Sequence, residues 1–349
     1  MKKVRVGIIG AGGIARGCHI PGWKNIKNVE ITAIADIDIA KAQAVANEHN
    51  IPHVFADYRK LVELDLDIVD VCTPNKVHTP AVLAALEHGK HVICEKPLAV
   101  TTAEVEKMGK TADAKKLKLM TAQHQRFTRS AQYIKQWIEA GNLGVPYHAR
   151  VRAMRRAWLP ITPGFIDAKL SGGGPCMDIG VHALDLCMWL MGFPQPVRVS
   201  GSAKTVFAKG KTIPGLWGEW DRKLFSVEDF AVGFVHFSNG ATMILEASWL
   251  GHQPELEELG CQIFGTKAGV KWPGGEFASV SGGAFVQGTV GIPPRREEKP
   301  HWEELKAFYE CVVEDKPSPV PWTETIKVIA ILEGIYISER KRKEIQIKV

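Results

Sequence analysis

The stretch KVRVGIIGAGGIA, Lys3–Ala15, decides the fold. Lys3–Ile9 is rich in Val and Ile and reads as a buried strand. Gly10-Ala11-Gly12-Gly13-Ile14-Ala15 follows as a G-x-G-x-x-A pattern, with a helix expected from Ile14 to Pro21. Gly10 permits the tight turn, Gly12 lets the backbone approach a pyrophosphate, and Ala15 lets helix and strand pack closely. Gly13 and Ile14 lie where the positive end of the helix would meet the phosphates. A second strand, Glu30–Asp36, ends in an acid 21 residues after Ala15, the place from which a carboxylate binds ribose hydroxyls. These pieces together predict a dinucleotide site. The negative charge of Asp36 favours NAD over NADP, although Lys41, one helical turn on, softens that preference.

Working outward, helix and strand signals alternate through the first 120 or so residues. Ile39–Asn50 is an Ala-rich helix, Ile68–Cys72 a buried strand, Pro80–His88 a helix, and His91–Cys94 a strand. Thr101/Thr102 with Glu104 reads as a cap for the helix Val105–Lys116. Leu117–Thr121 closes the set. The pattern predicts a doubly wound parallel sheet, with a domain boundary near residue 122.

Beyond it the signals change. Ser130–Ala140 is a helix. Tyr147–Ala157, Val197–Ala203, Phe230–Phe237, Thr242–Trp249 and Leu259–Phe264 are strand-like, and Asn239-Gly240 marks a hairpin. Residues 273–292 are Gly- and Ser-rich and read as surface loop. Two helices, His301–Glu314 and Thr323–Arg340, close the chain. The expectation is α/β overall: residues 1–122 as a Rossmann domain, then 123–349 as an α+β domain with a large, mostly antiparallel sheet.

Composition bounds the function classes. The chain has 349 residues, 45% hydrophobic and 23% charged, with a net charge of +6. That is ordinary for a soluble protein. No run approaches the length of a membrane span, no export signal is visible, and no basic block interleaved with aromatics points to nucleic acid. The seven cysteines are scattered without a C-x-x-C pair, so neither a metal site nor a disulfide framework is expected. The setting expected is cytoplasmic.

The second half carries one unusual stretch, GGGPCMDIGVHALDLCMWLMG at 172–192. Asp178, His182 and Asp185 stand at i, i+4 and i+7, on one face of a greasy helix. Asp178 also suits the start of that helix. Lys96 follows the strand His91–Cys94 in Glu95-Lys96-Pro97, at the carboxyl edge where doubly wound sheets bind ligands. Taken alone it reads as a loop lysine.

Taken together, these motifs resemble those of the Gfo/Idh/MocA oxidoreductases. The matching pieces are Gly10–Ala15, Thr73-Pro74-Asn75 with His78, Glu95-Lys96-Pro97, Arg126-Phe127, Gly172-Gly173-Gly174 through Asp178 and His182 to Asp185, and Ala330–Tyr336. The resemblance spans essentially the whole chain. It implies an NAD-dependent dehydrogenase acting on a secondary hydroxyl of a sugar, glycoside or cyclitol. It implies Lys96, Asp178 and His182 as catalytic residues. Thr73, Asn75, His78, Glu95 and His124 are expected at the cofactor, and Arg126 and Trp158 at the substrate. Position 124 departs from the family, which usually has a small polar residue there. Asp185 reads as the structural member of its trio. A homodimer or homotetramer through the C-terminal sheet is expected, with a small sugar or polyol as the only other partner. Three alternatives stay open: an enzyme that keeps its NAD and cleaves a glycoside or eliminates through transient oxidation, a non-catalytic NAD-binding regulator, and a biliverdin- or dihydrodiol-type reductase, which shares the first half.

Overall fold

The computed structural model describes residues 3–293 and 299–349. Among these, the first sheet contains β1 (Val4–Ile9), β2 (Val29–Ala35), β3 (His53–Phe55), β4 (Ile68–Val71), β5 (His91–Glu95) and β6 (Leu119–Ala122). They lie in the order β3-β2-β1-β4-β5-β6, and every pairing is parallel. The order reverses direction between β1 and β4, the switch point where such sheets bind ligands. β4 and β6 are buried throughout, as parallel strands covered on both faces must be. β3, three residues long, has no Val/Ile run, and the sequence reading did not name it.

Two local expectations change. The helix after the glycine turn does not stop at Pro21. A π-turn over Ala15–His19 leads into the helix Ile20–Lys24, with Pro21 in its first turn, where a missing N–H costs nothing. The helix after β4 spans Asn75–Glu87 and contains Pro80, so it starts five residues before the expected Pro80. Thr101 caps its helix as expected, accepting from the Glu104 amide.

The second sheet comprises β7 (Pro146–Arg155), β8 (Pro196–Lys204), β9 (Phe230–Phe237), β10 (Thr242–Ser248), β11 (Glu257–Gly265), β12 (Ala268–Trp272), β13 (Glu276–Ser281), β14 (Ala284–Thr289) and β15 (Ile345–Gln346). Its order is β14-β13-β12-β11-β7-β10-β9-β8-β15, antiparallel except for β7 beside β10. Along β7, Ala149, Val151 and Ala153 are buried while Arg150 and Arg152 face out, the period of two expected of a sheet with one covered face. The stretch 273–292 is thus not simply loop. Its Gly282-Gly283 turn, both residues at positive φ, joins β13 to β14 in a hairpin. The glycines that suggested a loop are the turn.

The chain divides into two units. One holds the residues up to His124 together with Lys299–Thr325; the other begins at Gln125 and includes Ile326–Val349. The helix Pro300–Val313 therefore belongs with the parallel sheet, where a strictly sequential division had put it with the second domain. Its Leu305 and Trp302 pack so tightly against Gly22 that a Cβ there would overlap the Leu305 side chain. No helix among the described residues is long and apolar enough to cross a membrane.

Candidate functional site

In the first unit, the turn after β1 is built for close approach. Gly10 has φ +104°, and a Cβ on it would overlap the Cys72 carbonyl. Gly12 and Gly13 have open space where a side chain would stand. Asp36 accepts from the Ala11 amide at 2.8 Å and from the Asp38 amide at 3.0 Å, and Lys41 reaches it at 3.4 Å. The carboxylate is thus held at the rim of the glycine turn. Ile14 leads into the π-turn directly after the glycines.

At the carboxyl ends of two other strands, polar side-chain atoms lack a partner among the described residues. Thr73 Oγ1, after β4, and Gln123 Oε1, after β6, are buried without a hydrogen-bond partner among the described residues. Buried polar groups are rarely left so. With the open space over Gly12 they fit a bound dinucleotide at this edge. Asn75 opens its helix two residues after Thr73. His78 is fully buried, with its ring nitrogens 2.8 Å from the carbonyl oxygens of Pro97 and Thr73; it ties the two strand-end loops together.

Glu95, the last residue of β5, is held from below. His19 bridges two carboxylates, Nδ1 at 2.8 Å from Asp70 and Nε2 at 2.8 Å from Glu95. Trp23 Nε1 donates to Asp70 at 2.7 Å. Burial opposes charge on His19, but Asp70 and Cys72 carry its pKa well above the ordinary histidine value. Burial likewise opposes charge on Glu95; the His19 hydrogen bond and charge, with Lys96, win and hold its carboxyl at about 2. Its second oxygen accepts the Lys96 amide at 3.1 Å, so the backbone of Lys96 is fixed by the same network. His124 stacks on His301, and burial followed by the His301 charge lowers its pKa to about 3.

In the second unit, the helical backbone begins at Cys176, so Asp178 lies inside the first turn and not at the cap. A π-turn over Cys176–Gly180 runs into the helix Val181–Leu190. Met177, Leu184 and Met188 are buried. Asp178 accepts from Trp249 Nε1 at 3.1 Å, and His182 is partly exposed. Asp185 is paired with Arg126 through two bonds of 2.8 and 2.7 Å, the side chains only 1% and 2% exposed. Arg126, expected at the substrate, is thus engaged as the countercharge of Asp185, with Phe193 against its guanidinium.

The three glycines approach the protein itself. A Cβ on Gly174 would overlap the Glu228 carbonyl oxygen, and one on Gly173 the Tyr336 hydroxyl. Glu228 accepts from the amides of Gly174 (2.9 Å) and Cys176 (3.1 Å) and from Tyr336 Oη (2.8 Å). Burial still pushes its carboxyl up to about 7 against those bonds. The sequence reading missed Glu228; its only local signal is an acid pair, Glu228-Asp229, at the entry to β9. Trp158 stacks parallel on the half-exposed Trp217, centroids 6.2 Å apart, while Trp220 is buried and donates to the Ala208 carbonyl. On β7, Arg152 and Arg155 pair with Glu258 and Glu257.

Comparison with known proteins agrees with this architecture. Residues 4–123 match the model described as "Oxidoreductase family, NAD-binding Rossmann fold", and residues 131–271 the GFO/IDH/MocA C-terminal domain. The D-glucoside 3-dehydrogenase of Escherichia coli (strain K12) is 36% identical over 76% of each chain. The myo-inositol 2-dehydrogenase of Thermotoga maritima is 28% identical over 76% of this chain and 73% of its own. The solved structure of levoglucosan dehydrogenase in complex with NADH superposes in fold with a TM-score of 0.86, at 22% identity, over 99% of this chain and all of that one. The parallel sheet with its glycine cradle is an NAD-binding domain, and the chain belongs to the Gfo/Idh/MocA family of oxidoreductases.

Proposed function

We propose that this chain is an NAD-dependent dehydrogenase that oxidises a secondary hydroxyl of a sugar, glycoside or cyclitol, with C3 of a glucoside-type ring as the foremost substrate. The cradle at Gly10–Gly13 with Asp36 at its rim carries the reading, supported by the unpartnered Thr73 and Gln123 oxygens at the strand ends. The glucoside assignment is supported by the 36% identical relative. The nicotinamide, when bound, accepts the hydride. What remains for the protein is a proton and a developing negative charge. His182 takes the hydroxyl proton, since an imidazole suits that role near neutral pH. The Lys96 ammonium stabilises the growing alkoxide. Asp178, fixed by Trp249, orients the acid–base group and balances charge.

Lys96→Met should lower kcat by at least about a hundredfold, while NADH binding, read by fluorescence, stays within about threefold. A panel of glucosides, free sugars, uronic acids and inositols, each with NAD and with NADP, tests the class through net NADH formation. No absorbance gain from any of them, with NAD carried through purification, would favour a cofactor-retaining lyase or hydrolase instead.

The open face of the second sheet carries Arg150, Arg152, Ile244, Glu246 and the exposed Phe234 on three adjacent strands. A mixed face with apolar members supports a homodimer or homotetramer through this sheet, which light scattering would size. All seven cysteines are free thiols, which supports a reducing, cytoplasmic setting.

A further inference from the structure

We infer that His124, His301 and Glu304 form a binding site for a divalent transition-metal ion. His301 and Glu304 leave one face of the first turn of the helix Pro300–Val313, at i and i+3. His124 reaches them from the turn that follows β6. One ligating atom from each of the three lies within 4.8 Å of the other two. The two imidazoles stack, with centroids 3.9 Å apart and planes 19° from parallel.

Glu304 makes the cluster more than a chance meeting of polar groups. It is 0% exposed, and neither carboxylate oxygen has a hydrogen-bond partner among the described residues. A buried carboxylate without donors is costly, and such groups are ordinarily paired or bound to metal. The contrast with its neighbour is instructive. His19, Asp70 and Cys72 also lie within reach of one ion, but His19 already bonds Asp70 and Glu95, and Trp23 donates to Asp70. That cluster is satisfied as it stands, whereas Glu304 is not.

Two imidazoles and one carboxylate are the donor set of zinc and of ferrous or cobaltous ions, not of calcium or magnesium. Bond lengths of about 2.0–2.2 Å would draw the three atoms to roughly 3.3 Å from one another. Small rotations about the last torsions of His and Glu, which are broad, supply that movement. Three protein ligands leave a position open for water or a ligand oxygen. The ligands lie far apart in sequence, which is why spacing motifs gave no sign of them.

The test uses the full-length chain, stripped with chelator and dialysed against Zn2+ or Co2+ alone. Bound metal is counted by mass spectrometry, and Co2+ is followed by its ligand-field bands. Wild type and Cys72→Ser should each bind about one ion per chain; His301→Ala and Glu304→Leu should bind less than about a tenth of that. Glu304→Leu also serves as the folding control. Without metal it should melt at a higher temperature than stripped wild type, because an apolar side chain replaces a buried unpartnered acid. Added Zn2+ should raise the melting temperature of wild type and leave that of Glu304→Leu unchanged. Wild type that takes up no Co2+, uptake unaffected by both ligand substitutions, or uptake abolished by Cys72→Ser would each overturn the inference.

Discussion

Replacing Glu228 with Gln isolates the group that holds the glycine loop ahead of Asp178. Burial pushes this carboxyl from its ordinary 4.5 up to about 7. A raised carboxyl pKa means the fold prefers the protonated form. Its contribution to stability is therefore fully present below 4.5 and lost as pH rises through about 7. At about 1.4 kcal/mol per pH unit, that interval amounts to roughly 3 kcal/mol, of which about 2.5 falls between pH 5 and 8. Gln cannot titrate, so the variant lacks this slope. It carries a fixed penalty instead. With its carbonyl toward Cys176 and Tyr336, its amide group faces the Gly174 N–H donor, one lost bond costing about 1–3 kcal/mol. The variant should be the less stable protein at pH 5, and the gap should close by about 2.5 kcal/mol by pH 8. Urea unfolding followed by tryptophan fluorescence at four pH values measures both curves, and subtraction removes every other titrating group. A gap that stays constant from pH 5 to 8 would refute the argument that Glu228 is forced to ionise in a buried site.

Other consequences are as direct. Asp185→Ala leaves the Arg126 guanidinium buried without its countercharge, so it should cost about 3–5 kcal/mol in urea unfolding, and Arg126→Met in the same chain should restore part of that loss. Gly12→Ala meets no protein atom and should leave the melting temperature unchanged while weakening NADH binding by at least about tenfold. Gly10→Ala, by contrast, combines φ +104° with a Cβ on the Cys72 carbonyl and should destabilise the first unit outright, seen as a lower melting temperature without ligand. His19→Gln tests the bridge beneath Glu95. Because the folded histidine has a raised pKa, its contribution is fully present below 6.5 and lost as pH climbs through the folded value. The variant should therefore trail wild type most at pH 6 and converge with it toward alkaline pH.

What the sequence made legible follows from the range over which its signals act. The glycine turn, the acid just after β2, the Thr101 cap and the Asn239-Gly240 hairpin are each settled by residues within a few positions of one another. So is the alternation along β7. Where the reading slipped, a local signal had two meanings. Gly282-Gly283 serves equally as flexible loop and as the turn of β13–β14, and Pro21 equally as a stop and as a first-turn residue. The short β3 has no pattern to detect. It pairs in register with β2 because its neighbours place it there.

The residues missed or given another role share a different property: each works through a partner distant in the chain. His19 meets Asp70 and Glu95 at separations of 51 and 76 residues, Arg126 meets Asp185 at 59, and Glu228 meets Tyr336 at 108. No periodicity encodes such pairings, since only the topology brings the partners together. Their positions are nonetheless ordered with respect to the chemistry proposed. Glu95, locked by His19, immediately precedes Lys96 and binds its amide. Glu228 fixes the two amides that lead into Asp178. Asp185, locked by Arg126, lies one turn beyond His182 on the same helix. Each proposed reacting group thus sits within four residues of a carboxylate-centred anchor or of a backbone amide held by one. Rotamers and backbone held this way lose little freedom when substrate arrives, which is how a site is kept near its reacting geometry in advance. On that reasoning, loosening an anchor should lower kcat more than it weakens NADH binding. A Glu228 or Asp185 variant that stays folded but loses only cofactor affinity would count against it.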